Sequence, residues 1–297
     1  CIRDRSWPDD ADYMLDSLAG DFCSGRWKSR DTEQWQGNFV ADLRQRPLRP
    51  VKVRWNRFCC LTYSPEMDFY AAFYYIPPMQ CWMLLGGKDP LEANSWKRLC
   101  DLPKQESPFL FLDQRPRWFG RYLCFGDRQS ATILTMNPQG VERVQRFPLP
   151  KAQHPCRFAC DGLGRILLAH DEETYCFENG SLSPLGFHIL SGDGFNGSIP
   201  APGTGRLVMC GFSDREVVAR LLELDIDTRR CRATRMQNVD PWSNLLPFGD
   251  DWTLIKGTCD SMRLDFARLW NRTTGEVLRI RPGMFGSEKL EHIGRLS

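Results

Sequence analysis

An all-β fold built from repeated four-stranded units is the class this sequence predicts, and three observations predict it. Short apolar runs bounded by turn residues recur along most of the 297 residues, a pattern of strands rather than helices. A Gly-Arg pair leading into an apolar strand returns at Gly120-Arg121, Gly164-Arg165 and Gly205-Arg206. With a degenerate copy at Asp250-Asp251, the intervals are 44, 41 and 45 residues. Twenty prolines and 24 glycines punctuate the chain as densely as many short strands require.

Each unit is read in the same order. A candidate strand precedes the pair, over residues 108–112, 155–159, 198–200 and 244–248. The strand that follows it is Tyr122-Leu123-Cys124, Ile166-Leu167-Leu168, Leu207-Val208-Met209 or Trp252-Thr253-Leu254-Ile255. Two more short strands then flank a polar turn, as around Asn137-Pro138-Gln139-Gly140, Asn179-Gly180, Asp227-Thr228 and Asn271-Arg272-Thr273-Thr274-Gly275. Asn, Asp and Gly tolerate the left-handed backbone of hairpin turns, so these read as hairpins. Four units lie between residues 105 and 282, and a fifth covers 54–103. Asp68-Phe69 and Gly25-Arg26-Trp27 fall on the ladder extrapolated towards the N-terminus. Residues 20–50 and 288–296 together complete a sixth unit in this reading, a closure that removes an exposed sheet edge.

Four strands at this period resemble the general β-propeller repeat class, in which radial packing buries both faces of each blade. Six blades are favoured, and five or seven also fit the spacing; an irregular β-sandwich or two small β domains are the alternatives. Leu85-Gly86-Gly87 followed by Trp96 is similar to a kelch unit, where a diglycine lets strands pack closely beside an aromatic; that resemblance covers one blade. The Gly-His and Trp-Asp signatures of WD40 repeats are absent. The expected organisation is a helical extension over residues 1–20 and a single propeller domain over 21–297. Ser6 suits an N-cap, Asp9, Asp10 and Asp12 favour a helix N-terminus, Gly20 suits a stop, and Tyr13, Met14 and Leu18 share a face at helical spacing. Such a helix is a plug on the propeller or a docking element for a partner.

Lys and Arg number 39 against 37 Asp and Glu, a formal charge of +2, which argues against a nucleic-acid partner. No apolar run approaches the ~20 residues of a membrane span. The 13 cysteines, an odd number, sit mostly in apolar runs such as Phe58-Cys59-Cys60-Leu61 and Tyr175-Cys176-Phe177. Cysteine used in this way is a small buried hydrophobe, and reduced thiols favour a cytoplasmic or other intracellular location. Cys1 and the sequons at Asn179, Asn196 and Asn271 leave a lipoprotein or secreted form open.

Nucleophile elbows, phosphate loops and His-Glu-x-x-His are absent. The leading functional reading is therefore a non-catalytic, scaffold-like propeller that binds another protein through its end-face loops, with no cofactor. Trp118, Trp242 and Trp252, with Arg44, Arg46 and Arg49 of the basic stretch 44–57, are the candidate partner-binding residues. The alternative is a metal-dependent hydrolase or lactonase-like enzyme. An aspartate recurs after each Gly-Arg strand, as Asp127, Asp171, Asp214 and Asp260. Converging carboxylates are calcium ligands, with His170 or His154 as general base. The plainer account is that a repeat duplicates its turn residues.

Overall fold

The computed structural model describes residues 11–32, 34, 36–45, 47–53, 58–76, 81–102, 116–152, 155–171, 173–186, 198–213, 216–235, 244–248, 251–256, 268–281 and 289–295. Two compact units divide the chain, Cys1–Pro150 and Lys151–Ser297. Each contains three antiparallel sheets among the described residues, all simple meanders in which sequence neighbours pair.

In the first unit the first sheet runs β1 (Ala11–Ala19), β2 (Phe22–Ser29), β3 (Gly37–Asp42) and β4 (Val51–Val53). The second runs β5 (Phe58–Ser64), β6 (Phe69–Ile76), β7 (Cys81–Gly87) and β8 (Lys97–Asp101). The third runs β9 (Arg117–Phe119), β10 (Tyr122–Gly126), β11 (Ser130–Asn137) and β12 (Gly140–Pro148).

In the second unit the fourth sheet runs β13 (Arg157–Cys160), β14 (Ile166–His170), β15 (Glu173–Glu178) and β16 (Ser181–Pro184). The fifth runs β17 (Ile199–Ala201), β18 (Arg206–Ser213), β19 (Glu216–Asp225) and β20 (Arg230–Arg235). The sixth has five strands, β21 (Asn244–Phe248), β22 (Trp252–Lys256), β23 (Arg268–Asn271), β24 (Glu276–Arg281) and β25 (Lys289–Arg295).

The repeated pair marks the turn between the first and second strands of a sheet. Gly120-Arg121 joins β9 to β10, Gly164-Arg165 leads into β14, Gly205-Arg206 into β18, and Asp251 precedes β22. In the first sheet that turn is Gly20-Asp21, not Gly25-Arg26, which lies inside β2.

Two expectations are corrected. The helix over residues 6–20 does not form where the chain is described: residues 11–19 are strand β1, and 6–10 lie outside the described residues. Ala11, Ser17 and Ala19 face inward while Asp12, Met14 and Leu18 are exposed. That is a two-residue period, kept although the register with β2 shifts between Leu15 and Ser17. Pairing with β2 from Ala11↔Ser29 to Ala19↔Phe22 overrides weak helical propensity. Gly20, at φ +55°, makes the hairpin turn instead of a helix stop. Secondly, the C-terminal segment does not complete the first sheet, which has four strands of its own; β25 pairs with β24 as a fifth strand.

Successive sheets within a unit pack face to face through apolar side chains. Ala19, Phe22 and Val40 of the first meet Leu61, Tyr70 and Ala72 of the second. Phe73, Trp82 and Leu84 meet Leu123, Phe125, Leu134 and Met136 of the third. In the second unit Leu167, Ala169 and Cys176 meet Leu207, Met209, Leu222 and Leu224, and Leu221 meets Leu245 and Ile255. Each fully buried large side chain stabilises by ~1.5–3 kcal/mol relative to exposure. The diglycine of β7 has a packing role: a Cβ on Gly86 would overlap the Phe69 ring, and one on Gly87 the Ser95 carbonyl.

Candidate functional site

The meanders give every sheet two unlike ends. At one, the turn end, lie the first–second and third–fourth turns. At the other, the crossover end, lie the second–third turns and the points where the chain leaves one sheet for the next. Most connections at the turn end are short, Gly20-Asp21 and Pro138-Gln139 for example; β3 to β4 and β7 to β8 are the longer ones. At the crossover end the chain leaves β8 at Asp101 and enters β9 at Arg117, and leaves β16 at Pro184 and enters β17 at Ile199.

Several charges at the turn end hold turns together. Arg121 pairs with Glu142 at 3.7 Å, and Arg206 with Glu223 and Asp225 at 3.6 and 3.0 Å. Arg165 bridges Asp161, at 2.6 Å, and Asp227, at 2.8 Å. Where the repeat loses its arginine the polarity is exchanged. Asp21 accepts Arg44 from the third–fourth turn at 3.3 Å, and Asp251 accepts the Thr273 hydroxyl at 3.0 Å. The repeated arginine is therefore an anchor between turns.

The tightest of these anchors was not among the sequence candidates. Asp161 is 1% exposed. Its Oδ1 accepts the backbone N–H of Leu163 and Arg165 at 3.0 and 2.9 Å, and its Oδ2 accepts Arg165 Nε. Burial pulls the Arg165 pKa down, but hydrogen bonds to Asp161 and Asp227 more than reverse this and raise it. Gly162 docks this turn on the next sheet, donating to the Arg206 carbonyl at 3.1 Å and accepting from Gly203 N at 3.0 Å. A side chain there would overlap the Ala201 carbonyl. The sequence signal was the spacing Asp161-Gly162-x-Gly164-Arg165, an acid placed to cap the turn that carries the repeated arginine.

The candidate partner-binding residues all lie at or towards the turn end of their sheets, so far as they are described. Arg44 is bidentate to Asp42, with Nε and Nη2 both at 2.9 Å, and lies 5.5 Å over the Phe22 ring. The Arg44 hydrogen bond holds the Asp42 carboxyl below its ordinary pKa. Arg49 is exposed. Trp118 is half-buried and packs on the core of the second and third sheets, its ring 6.4 Å from Phe69. Trp252 opens β22 opposite Phe248 and Asn271. Trp242 and Arg46 lie outside the described residues.

Of the candidate metal residues, the two that are described, Asp127 and Asp171, lie at the crossover end. Asp127 and Asp171 occupy corresponding turns, β10 to β11 and β14 to β15, each in a different unit. Asp127 is built into its turn: Oδ1 accepts Gln129 N and Ser130 N, both at 2.7 Å, and Oδ2 accepts the Ser130 hydroxyl at 3.0 Å. Asp171 makes its turn at φ +46°, a conformation aspartate tolerates, and His170 beside it is 4% exposed in β14. Asp214, Asp260 and His154 lie outside the described residues. Among the described residues no group of three His, Cys, Asp or Glu is placed to hold a metal ion.

Most of the described thiols are wholly or partly buried. Nine cysteines are free of disulfides, and burial pushes Cys100 and Cys176 up to about 11. These two stay protonated near neutrality. No described helix is long and apolar enough to cross a membrane.

The architecture belongs to the β-propeller class. The chain is similar to the β-propeller domain of the Trilobed protease from Pyrococcus furiosus, a domain with an open velcro topology (TM-score 0.59, 12% identity, covering 93% of this chain and 85% of that one). It is also similar to an acylaminoacyl peptidase solved with Z-Gly-Gly-Phe-chloromethyl ketone (TM-score 0.58, 11% identity), covering 91% of this chain but only 46% of the peptidase. An oligogalacturonate lyase in complex with manganese aligns over 93% of the chain (85% of the lyase) at TM-score 0.50 and 12% identity. At these identities the likeness shows the fold alone. No protein-family model matches the sequence, and no curated protein matches it.

Proposed function

We propose that the six sheets are the blades of a single propeller domain, and that this domain binds a polypeptide through the loops at the crossover end. The observation that carries the reading is the contrast between the two ends. Several turn-end charges are held in the pairs Arg121–Glu142, Arg165–Asp161, Arg206–Asp225 and Arg44–Asp21. The long connections enter and leave at the other end, where a rigid scaffold can present variable segments. Propellers from two peptidases among the similar structures agree with a polypeptide ligand, and a non-catalytic role would be recognition alone. The alternative is a calcium-dependent hydrolase using Asp127 and Asp171 with Asp214 and Asp260. It requires Asp127 to give up hydrogen bonds inside its own turn.

The test is selection of dodecapeptides from a displayed random library, followed by solution affinity for two charge-altered variants. Arg128→Glu with Gln129→Arg alters an exposed crossover-end turn, and Lys88→Glu with Glu92→Lys an exposed turn-end connection. The reading expects the first variant to lose binding and the second to keep it. The opposite pattern, or no selected peptide that binds in solution, overturns it.

A further inference from the structure

We propose that the outer edge of the fifth sheet, strand β20, is a second docking site, which accepts an extended acidic segment of another polypeptide as an added strand. Outer edges in a meander protein present unpaired backbone groups and are normally blunted. Most of the outer edges here are. β4 has three residues, and β16 has four and ends in Pro184. The pairing of β8 with β7 is broken by an irregularity at Leu84/Leu85. β12 carries another at Thr135/Met136 and ends in Pro148. β24 is covered by β25.

Strand β20 has none of these devices. Its six residues, Arg230–Arg235, pair with β19 in an unbroken register from Asp225↔Arg230 to Arg220↔Arg235 and include no proline. Among the described residues nothing pairs with its other side. Alternate residues of such a strand direct N–H and C=O groups outward. Arg229, Arg230, Cys231 and Arg232 are all exposed.

Charge selects the occupant. Residues 229–235 contain four arginines and no acid. On one face Arg230 stands opposite Asp225 and Arg232 opposite Glu223. Arg206 pairs with both carboxylates from β18. A basic edge repels another copy of itself and admits a strand carrying carboxylates at alternate positions. Among the described residues β25 shows one such contact: it lies antiparallel on β24 and sets Glu291 opposite Arg279, although Lys289 stands opposite Arg281. Backbone hydrogen bonds would give affinity, and glutamates opposite Arg230 and Arg232 would give selectivity.

Cys231, exposed on the strand, is a built-in reporter. The full chain is alkylated with and without the synthetic peptide (Glu-Val)6, and the Cys231 rate is read by peptide mapping alongside amide exchange over 230–235. The peptide should slow both. (Lys-Val)6, which has the wrong charge, and (Glu-Pro)6, in which every second residue lacks a backbone N–H and the rings disfavour a paired strand, should slow neither. Arg230→Gln with Arg232→Gln should weaken (Glu-Val)6 by about twofold to thirtyfold, the loss expected for two cross-strand charge pairs. Equal protection by (Glu-Pro)6 or by poly(U) RNA would show a purely electrostatic surface and overturn the proposal. Unchanged Cys231 reactivity and amide exchange with (Glu-Val)6 would overturn it as well.

Discussion

Replacing Asp161 by alanine removes the acceptor at the centre of the anchor between the fourth and fifth sheets. The side chain is buried and takes three hydrogen bonds, two from backbone N–H groups and one from the Arg165 guanidinium. Its loss strands the two N–H groups and leaves Arg165, whose side chain is 18% exposed, with Asp227 as its remaining acid. Breaking a buried ion pair from one side costs ~3–5 kcal/mol, most of it desolvation that is no longer compensated. Asp161→Asn keeps an acceptor oxygen for the backbone and should cost about 1–2 kcal/mol. Asp227→Asn, at a side chain 55% exposed, should cost no more than about 1 kcal/mol, because water screens that pair. The assay is urea unfolding, with amide exchange in Ile166–His170 reporting on the fourth sheet itself. The reasoning fails if Asp227→Asn matches Asp161→Ala, or if Asp161→Ala shifts stability by less than about 1 kcal/mol.

Four further outcomes can be checked. Gly162→Ala places a Cβ into the Ala201 carbonyl, backbone that cannot swing aside, so its urea midpoint should fall by more than the ~1–3 kcal/mol equivalent of ordinary overpacking. The Asp42 carboxyl, held below its ordinary 3.8 by the hydrogen bond from Arg44, is protonated in the unfolded chain before the folded one. Its contribution is thus present above about pH 3.8 and is lost as pH falls through the lower folded value; Arg44→Ala should flatten that acid limb of a stability–pH curve. Burial pushes the Tyr70 phenol up to about 12 from 10.0, so its contribution is present below pH 10 and lost on rising to 12, and Tyr70→Phe should make unfolding shallower there. Melting in EDTA, and again with calcium, should give the same Tm for the polypeptide-binding reading; a fall in EDTA restored by calcium would instead support the aspartate ring.

The repeat was legible because turns are local chemistry. Gly120-Arg121, Gly164-Arg165 and Gly205-Arg206 need no distant information to announce a hairpin, and all three mark first–second turns. What the arginines do was not legible, since Arg165 meets Asp227 from 62 residues away in sequence and no spacing rule links them. Residues 11–19 failed for a related reason. Tyr13, Met14 and Leu18 fit a helical stripe as readily as a strand, and only the partner β2 decides. The destination of β25 was equally non-local: a short segment, Lys289–Arg295, can cover any open edge, and its sequence carries no address. At the candidate site the aspartates were found by phase, and phase correctly placed Asp127 and Asp171 in corresponding turns. Phase cannot tell a ligand from a capping residue, and at Asp127 the hydrogen bonds to Gln129 and Ser130 show a capping residue.

The exchange of polarity at the turn end bears on how such a fold tolerates sequence drift. In the third, fourth and fifth sheets the first–second turn supplies the cation, Arg121, Arg165 or Arg206. In the first it supplies the anion, Asp21, and the third–fourth turn supplies Arg44. In the first, third and fifth sheets the interaction that matters is the charge difference between the two turns, so either sign on either side satisfies it; in the fourth, Arg165 pairs with Asp161 of its own turn and with Asp227 of the fifth sheet. A repeat detector keyed to Gly-Arg therefore sees three sheets clearly and misplaces the first, where it settles on Gly25-Arg26 inside β2. Exchanging both partners at once, Asp21→Arg with Arg44→Asp, should retain more stability than either single change, because each single change sets like charges on facing turns while the double restores an opposite pair. The Asp42 carboxylate, which also binds Arg44, would then face an aspartate, so recovery should be partial, and adding Asp42→Asn should complete it.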